Sequence, residues 1–313
     1  MIGTLNYRMD SSSVHGFFLA LTTAILWGVL PIFLKISLDA MDSATITTYR
    51  FYSAALIVGL ILYAKSRLPS IRSLTKLEWA LFALAAVMLV LNYIGTVEGL
   101  VYLKPESAQV LMQLAPFLLM LGGLVFFNEV FTRLQFLGAG ILISGLLLFF
   151  NQRLEGILES NAERPLGIIL IIVAAACWAI YALCQKPLLK TLSAQQLTLL
   201  IYVFGGTLLL PITQFSSVLT MNGLQLFALL FCCANTLIAY GAFTKALAIW
   251  EASKVSAVIA TSPLFTLLAN AVAAIIWPDL FSPSHLDSLA YLGVGFVIAG
   301  SMLTALGRKE TPA

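Results

Sequence analysis

Residues 137–145 read LGAGILISG, and residues 292–300, 155 positions later, read LGVGFVIAG. Glycine occupies the same three places in both segments. Each also holds a pair of small residues four apart, Gly140/Ser144 and Gly295/Ala299, which lets helices pack closely in lipid. The match predicts that one helical unit occurs twice in the chain.

Further matched residues extend the duplication toward the start of each half. Two pairs are 151 positions apart and two are 147 apart, namely Trp27/Trp178, Lys35/Lys186, Tyr93/Tyr240 and Pro116/Pro263. The separation drifts by a few residues, as loops of different length would cause. The duplication therefore covers most of the chain.

The composition excludes an ordinary soluble domain. The 313 residues are 60% hydrophobic and 10% charged, whereas a soluble domain carries about 25% charged residues. A bilayer core of about 30 Å needs about 20 apolar residues per helix. Ten windows satisfy this requirement: 14–36, 43–65, 78–98, 106–127, 132–150, 166–186, 193–215, 223–246, 252–277 and 286–307. The sequence predicts an all-α polytopic membrane protein with ten transmembrane helices.

The ten predicted helices divide into two units of five. An odd number of crossings makes the second unit enter the bilayer from the opposite side. Such inverted repeats are typical of secondary transporters. The predicted domains are a tail at 1–13, a repeat at 14–150, a linker at 151–165, a repeat at 166–307 and a tail at 308–313.

The distribution of charge predicts the orientation in the membrane. Twelve of the 17 Lys and Arg residues lie in or beside one set of alternate loops, and four lie beside the other set. Basic residues favour the cytoplasmic side, so we expect both termini in the cytoplasm and the linker in the periplasm. The acidic residues, Glu106 among them, fall mostly on the outer side. The predicted location is the inner (plasma) membrane.

The few residues with reactive side chains do not form an enzyme-like cluster. All four cysteines lie within predicted helices without metal-ligand spacing, and His15 and His285 lie near helix ends. We expect no catalytic residues, no metal and no cofactor, and the chain shows no nucleic-acid-binding pattern. A membrane enzyme or a lipid scramblase is accordingly a weaker alternative.

Polar and aromatic side chains recur at matching places in the two halves. Polar groups within lipid usually face a bundle interior or a wet cavity. Packing or an interhelical hydrogen bond is the alternative reading for each of them. The candidate substrate-binding residues are Trp27, Asn92, Tyr93, Gln113, Trp178, Tyr181, Asn235 and Tyr240.

Four further residues are candidates for gating. Pro116 and Pro263 interrupt helical hydrogen bonding, which permits either a fixed kink or a hinge. Glu98 and Lys245 occupy equivalent repeat positions near opposite membrane faces, where simple interfacial anchoring is the alternative. Arg50 lies about two turns inside the second helix, and we expect its stem to snorkel or its charge to pair with a loop acid.

No carboxylate lies in the middle of a predicted helix. Proton relays in membranes usually use such a group, so its absence from the sequence argues against a proton-coupled exporter of organic cations. A neutral or zwitterionic substrate fits better.

Several short motifs, in this order and duplicated, resemble the drug/metabolite transporter superfamily, and the bacterial EamA type most closely. They are ILWG at 25–28, YRF at 49–51, QLAP at 113–116, NE at 128–129, TSP at 261–263 and the two glycine segments. The resemblance implies helices 1–4 and 6–9 around a central cavity, with helices 5 and 10 outside. Two departures are Pro278-Asp279 in place of a second NE motif and the lack of an acid in helix 1.

The resemblance implies an inner-membrane carrier of small molecules. We expect a secondary transporter that exports amino acids or related neutral or zwitterionic compounds by alternating access. The alternative within transport is uptake or exchange of nucleoside-, choline- or nucleotide-linked solutes. The expected partners are the small-molecule substrate and the lipid bilayer, with the protein as a monomer or a homodimer.

Overall fold

The computed structural model describes residues 11–70, 74–127, 132–150, 163–250, 255, 258–284 and 286–306, and in these ranges the protein is helical and contains no strand. The α-helices are α1 (Ser11–Leu38), α2 (Ser43–Ala64), α3 (Lys76–Tyr102), α4 (Pro105–Leu111), α5 (Leu114–Phe127), α6 (Arg133–Phe149), α7 (Glu163–Leu188), α8 (Ala194–Leu209), α9 (Gly223–Ile249), α10 (Ser262–Ile276) and α11 (Ser288–Leu306). Two 3₁₀ segments, Leu210–Ile212 and Phe215–Thr220, connect α8 to α9.

Local sequence fixes where several helices begin. A capping box, in which the N-cap side chain and the third helical residue satisfy each other's backbone N–H groups, starts four helices. These boxes are Thr75/Glu78 at α3, Thr132/Gln135 at α6, Ser193/Gln196 at α8 and Asn222/Gln225 at α9. The polar starts of these helices are therefore readable from the sequence.

Every one of the ten predicted windows overlaps a described helix. Six helices are long and apolar enough to cross a membrane: α1, α2, α3, α7, α8 and α9. The apolar helices α6, α10 and α11 are shorter. The prediction of an all-α membrane protein is thus confirmed at this level.

The fourth predicted helix is two helices. Helix α4 ends at Leu111 and α5 begins at Leu114, so the continuous helix expected over 106–127 is wrong. Pro116 then falls in the first turn of α5, where a missing backbone N–H costs no hydrogen bond. Pro263 likewise lies in the first turn of α10, after a turn at Ala260 and Thr261. The interruptions occur at equivalent places of the repeat.

Helix pairing follows the duplication. Helix α3 packs extensively along α7, and its counterpart α9 packs along α1, which is the counterpart of α7. Helix α5 contacts α7, as α10 contacts α1. Helices α2 and α8 pack on each other, and the equivalent rings of Phe51 and Tyr202 stack there with centroids 5.0 Å apart. An approximate two-fold relation therefore links the two halves.

The glycine segments form the contact between α6 and α11. A Cβ added at Gly138 would lie 2.6 Å from the backbone nitrogen of Thr304, and one at Gly145 would lie 2.5 Å from that of Val297. A Cβ at Gly140 or Gly295 would meet nothing within 4 Å. The predicted close packing is present, but Gly138 and Gly145 make it. The predicted pairs Gly140/Ser144 and Gly295/Ala299 lie on a neighbouring face of each helix.

Candidate substrate site and outer polar network

Five of the predicted aromatic residues come together between the two halves. Tyr93 and Tyr181 are buried in one cluster, and Trp178 and Tyr240 pack against it. Trp27 contacts the Tyr240 ring edge to face, with centroids 5.2 Å apart. The cluster joins α1, α3, α7 and α9. In the repeat, α1 is equivalent to α7 and α3 is equivalent to α9.

Two further rings connect this cluster to the α2–α8 contact. Phe51 meets Tyr93 edge to face at 4.7 Å, and Tyr93 lies parallel to Tyr240 at 6.4 Å. Tyr202 completes the row through its stack on Phe51. The rings form a continuous aromatic assembly, hereafter the central aromatic cluster (Trp27, Phe51, Tyr93, Trp178, Tyr181, Tyr202 and Tyr240).

Arg50 lies inside this cluster. Its side chain is only 4% exposed, and its Cζ is 4.4 Å from the centroid of the Tyr93 ring. Its Nε donates a hydrogen bond of 2.9 Å to Oγ1 of Thr236 on α9. The expectations that its charge snorkels or pairs with a loop acid are wrong, because the side chain is buried and no described carboxylate pairs with it.

Several polar atoms at this centre lack a hydrogen bond. The Tyr93 and Tyr202 hydroxyls are buried, and neither has a described partner at hydrogen-bond geometry. Asn235 Oδ1, next in sequence to the Thr236 that holds Arg50, is also buried without one. Unsatisfied buried polar groups are uncommon in folded proteins, so their occurrence together makes this centre a candidate functional site.

A second polar group lies at the end of the bundle where α4 and α10 meet. Glu106 is completely buried, and its Oε1 accepts a hydrogen bond of 3.0 Å from Ser284. Asn270 donates to the Ser284 hydroxyl at 2.9 Å and to the Ser282 carbonyl at 3.3 Å. The sequence placed Glu106 at the outer membrane face, and it did not show that this carboxylate is enclosed.

Lys35 extends this group to α1 and α3. Its Nζ donates to the carbonyls of Leu100 and Leu103 at 3.2 and 3.3 Å, and the Glu106 carboxylate is a neighbouring negative charge. Lys35, Glu106, Asn270 and Ser284, which we call the outer polar network, thus connect α1, α3, α4 and α10. Sequence reasoning missed the network because its members lie in four separate segments.

The EamA-like transporter family matches residues 14–151 and 165–306 of the chain. The protein belongs to this family. It is 39% identical over 302 residues to the "Uncharacterized inner membrane transporter YhbE" of Escherichia coli K12, which covers 96% of this chain and 94% of that one. An "Uncharacterized transporter" of Haemophilus influenzae is 34% identical over 304 residues, with 97% and 99% covered.

A solved structure, titled only as a crystal structure of a protein, shares the fold. It superposes with a TM-score of 0.64 at 14% identity, over 93% of this chain and 96% of that one. The family and the apolar helices together make the protein a multi-pass inner-membrane transporter. Membership in this EamA-like family indicates transport and not an enzymatic reaction.

The three predicted amides of this EamA-like transporter make interhelical bonds. Asn92 donates to the carbonyl of Ala174 at 2.9 Å, and Asn235 donates to that of Leu26 at 2.6 Å. Gln113, in the turn between α4 and α5, accepts from Ser301 of α11 at 3.2 Å. Asn92 precedes Tyr93 of the central aromatic cluster in the chain, and Asn235 precedes Thr236, which binds Arg50. Gln113 instead bonds toward α11.

None of the four predicted gating residues is a member of the central aromatic cluster. Pro116 and Pro263 lie at the two helix interruptions described above. Glu98 is half-buried on α3, and Lys245 is exposed on α9. In the described residues neither has an ion-pair partner.

Proposed function

We propose that this protein is a secondary transporter with ten membrane crossings in two inverted five-helix repeats. It exports amino acids or related neutral or zwitterionic metabolites by alternating access. The observation that carries the proposal is the central aromatic cluster, because it lies between the halves and contacts the buried charge of Arg50.

The helix arrangement supports this proposal. Transporters with inverted repeats bind their substrates near the midplane, where helices of both repeats meet and where some helices are interrupted. Trp27 and Tyr93 lie well inside α1 and α3, and the interruptions at 112–113 and 260–261 are equivalent in the two halves. Aromatic faces accommodate both apolar side chains and cationic amines.

The outer polar network supplies the closure that alternating access needs. With the termini in the cytoplasm, this network lies at the periplasmic end and joins α1, α3, α4 and α10. We therefore propose that it holds the periplasmic entrance shut. Pro116, Pro263, Glu98 and Lys245 are proposed to act when the closed end changes from one side to the other.

The transport proposal is tested by efflux from cells. Cells that express the protein are loaded with dipeptides, and the amino acids released into the medium are measured over time. Trp27→Ala and Trp178→Ala should each slow efflux about tenfold, which corresponds to losing ~1.4 kcal/mol of binding. Trp79→Ala is the matched control, because Trp79 is 41% exposed on the outside of α3.

Three results would contradict the proposal in different ways. If efflux of every amino acid tested equals that of cells without the protein, the proposal of amino-acid export is wrong. Accumulation in place of efflux favours the uptake or exchange alternative. Equal efflux rates for wild type, Trp27→Ala and Trp178→Ala would show that the central aromatic cluster does not bind the substrate.

The proposed orientation is tested with single cysteines in a background without the four native ones. Cysteine at Thr220, exposed between α8 and α9, should react in intact cells with a maleimide that does not cross membranes. Cysteine at Lys190, exposed between α7 and α8, should react only after the cells are opened. The reverse pattern would invert the proposed topology.

A further inference from the structure

We propose that Arg50 binds a carboxylate group of the transported molecule. The transporter then selects solutes that carry a carboxylate over similar solutes that lack one. This inference rests on the proposed function, because it names the substrate class of the same central site.

The first argument is the charge balance around Arg50. An arginine remains protonated in proteins, and a buried charge is costly unless other groups compensate it. At 4% exposure the guanidinium has one hydrogen bond, to Thr236, and one aromatic face, that of Tyr93. In the described part of the chain no acidic side chain pairs with it. A negative charge brought by a ligand would complete the site.

The second argument is the geometry of the remaining donors. The Thr236 hydroxyl donates to the carbonyl of Cys232 at 2.9 Å, so its oxygen is left to accept from Nε of Arg50. This bond and the Tyr93 ring restrain the guanidinium plane. The two terminal nitrogens have no acceptor among the described residues, and neither is fully enclosed. Their N–H groups form the fork that binds the two oxygens of a carboxylate.

A buried acceptor next to Thr236 in the chain fits the other end of an amino acid. Asn235 Oδ1 is a buried acceptor without a described partner, on the same turn of α9 as Thr236. An ammonium group has donors for such an acceptor, and it also binds favourably over tyrosine and tryptophan rings. The site therefore offers complementary partners for both charges of a zwitterion.

The surroundings favour a carboxylate over a phosphate ester. A phosphate carries close to two negative charges near neutral pH and is usually met by several donors or cations. The contacts described for Arg50 include no second cation, and Lys35 donates to the carbonyls of Leu100 and Leu103. One guanidinium matches the single charge of a carboxylate.

The experiment compares matched probes on purified protein reconstituted in liposomes. The probe pairs are L-phenylalanine with L-phenylalaninamide, glycine betaine with choline, and uridine 5′-monophosphate with uridine. Each pair differs in one anionic group, and counterflow exchange gives an apparent affinity for each probe. In the wild type we expect the carboxylate member to bind about ten- to a hundredfold more tightly than its partner, as for a charge-assisted pair of hydrogen bonds.

Two variants connect this preference to the side chain. Arg50→Gln should reduce the carboxylate preference to less than about twofold, because the cationic fork is lost. Arg50→Lys keeps the charge but replaces the fork by a point charge, so an intermediate preference is expected. If Arg50→Gln does not fold, the comparison of wild type with Arg50→Lys still tests the proposal. The ratio within a probe pair does not change when a variant merely lowers the amount of folded protein.

The outcomes separate this inference from the proposed function. Exchange of both members of each carboxylate pair with equal affinity in the wild type would overturn the role of Arg50 and leave a metabolite transporter. An unchanged preference in either Arg50 variant would also overturn it. A phosphate preference without a carboxylate preference would show that the anion is the wrong one. No exchange of any probe would contradict the proposed function, and the inference with it.

Discussion

The two halves of the molecule are alike where helices pack and different where charge is buried. Gly138 and Gly145 of the first half match Gly293 and Gly300 of the second, and all four lie in one contact. At 151 positions after Arg50, however, the second half has the apolar residue Ile201. The duplicated residues build the scaffold, and the unmatched charge lies in the proposed substrate site.

This difference has a physical reason. Alternating access requires two halves that can exchange shapes, so residues at their contacts are expected to match. Substrate binding has no such requirement, because the proposed zwitterionic substrate has two unlike ends. A single buried cation on α2 gives the site a direction that a symmetric pair of cations would not give. The outer polar network is similarly one-sided, since Glu106 has Ser253 as its counterpart 147 positions later.

The largest expected effect concerns the symmetric glycine contact. Gly145→Val and Gly300→Val should each lower the free energy of unfolding of the purified protein by about 3 kcal/mol or more. The added carbon atoms would collide with the backbone of the facing helix. Gly140→Val and Gly295→Val are matched controls, since both positions face open space. Melting temperatures of the four variants, measured in one detergent, give the comparison. Equal stability of all four variants would show that the α6–α11 contact does not stabilise the fold.

A smaller effect is expected in the one-sided outer polar network. Glu106→Ala leaves the Ser284 hydroxyl without its acceptor in a buried place, which should cost about 1–3 kcal/mol of stability. Glu106→Gln keeps an acceptor oxygen and should cost less. Accessibility of a cysteine at Ser282 to a maleimide from the periplasmic side should rise in the alanine variant.

Equal behaviour of the two Glu106 variants would show that charge, and not the Ser284 hydrogen bond, is what the network requires. No change in either variant would show that the network contributes little to closure.

The sequence predicted the scaffold better than the site. Helices, capping residues and the duplication depend on short-range patterns, so their positions can be inferred from the sequence alone. Even so, the face that carries the glycine contact was misassigned, because several small residues occur within one helical turn. Arg50 was judged by its distance from a helix end, but whether it is buried depends on α3 and α9, which are distant in sequence. The burial of Glu106 could not be predicted for the same reason.

The smallest expected effect tests the symmetry itself. Asn92 on α3 donates to Ala174 of α7, and Thr23 on α1 donates to Ala239 of α9 at 3.2 Å. These bonds occupy equivalent places of the repeat, although the donor lies on opposite members of the helix pair. Asn92→Leu and Thr23→Val should each cost about 0.6–1.7 kcal/mol, the range known for interhelical hydrogen bonds in membranes.

Thr22→Val is the matched control for this pair, because Thr22 is exposed and bonds only to the Phe18 carbonyl of its own helix at 2.8 Å. Its stability should therefore stay close to that of the wild type. Similar losses in Asn92→Leu and Thr23→Val would mean that the two halves share the stabilising contacts of the scaffold equally. A loss in only one of them would show that one α-helix pair is held more firmly. The more weakly held pair would then be the one expected to move first when the transporter changes the side to which it is open.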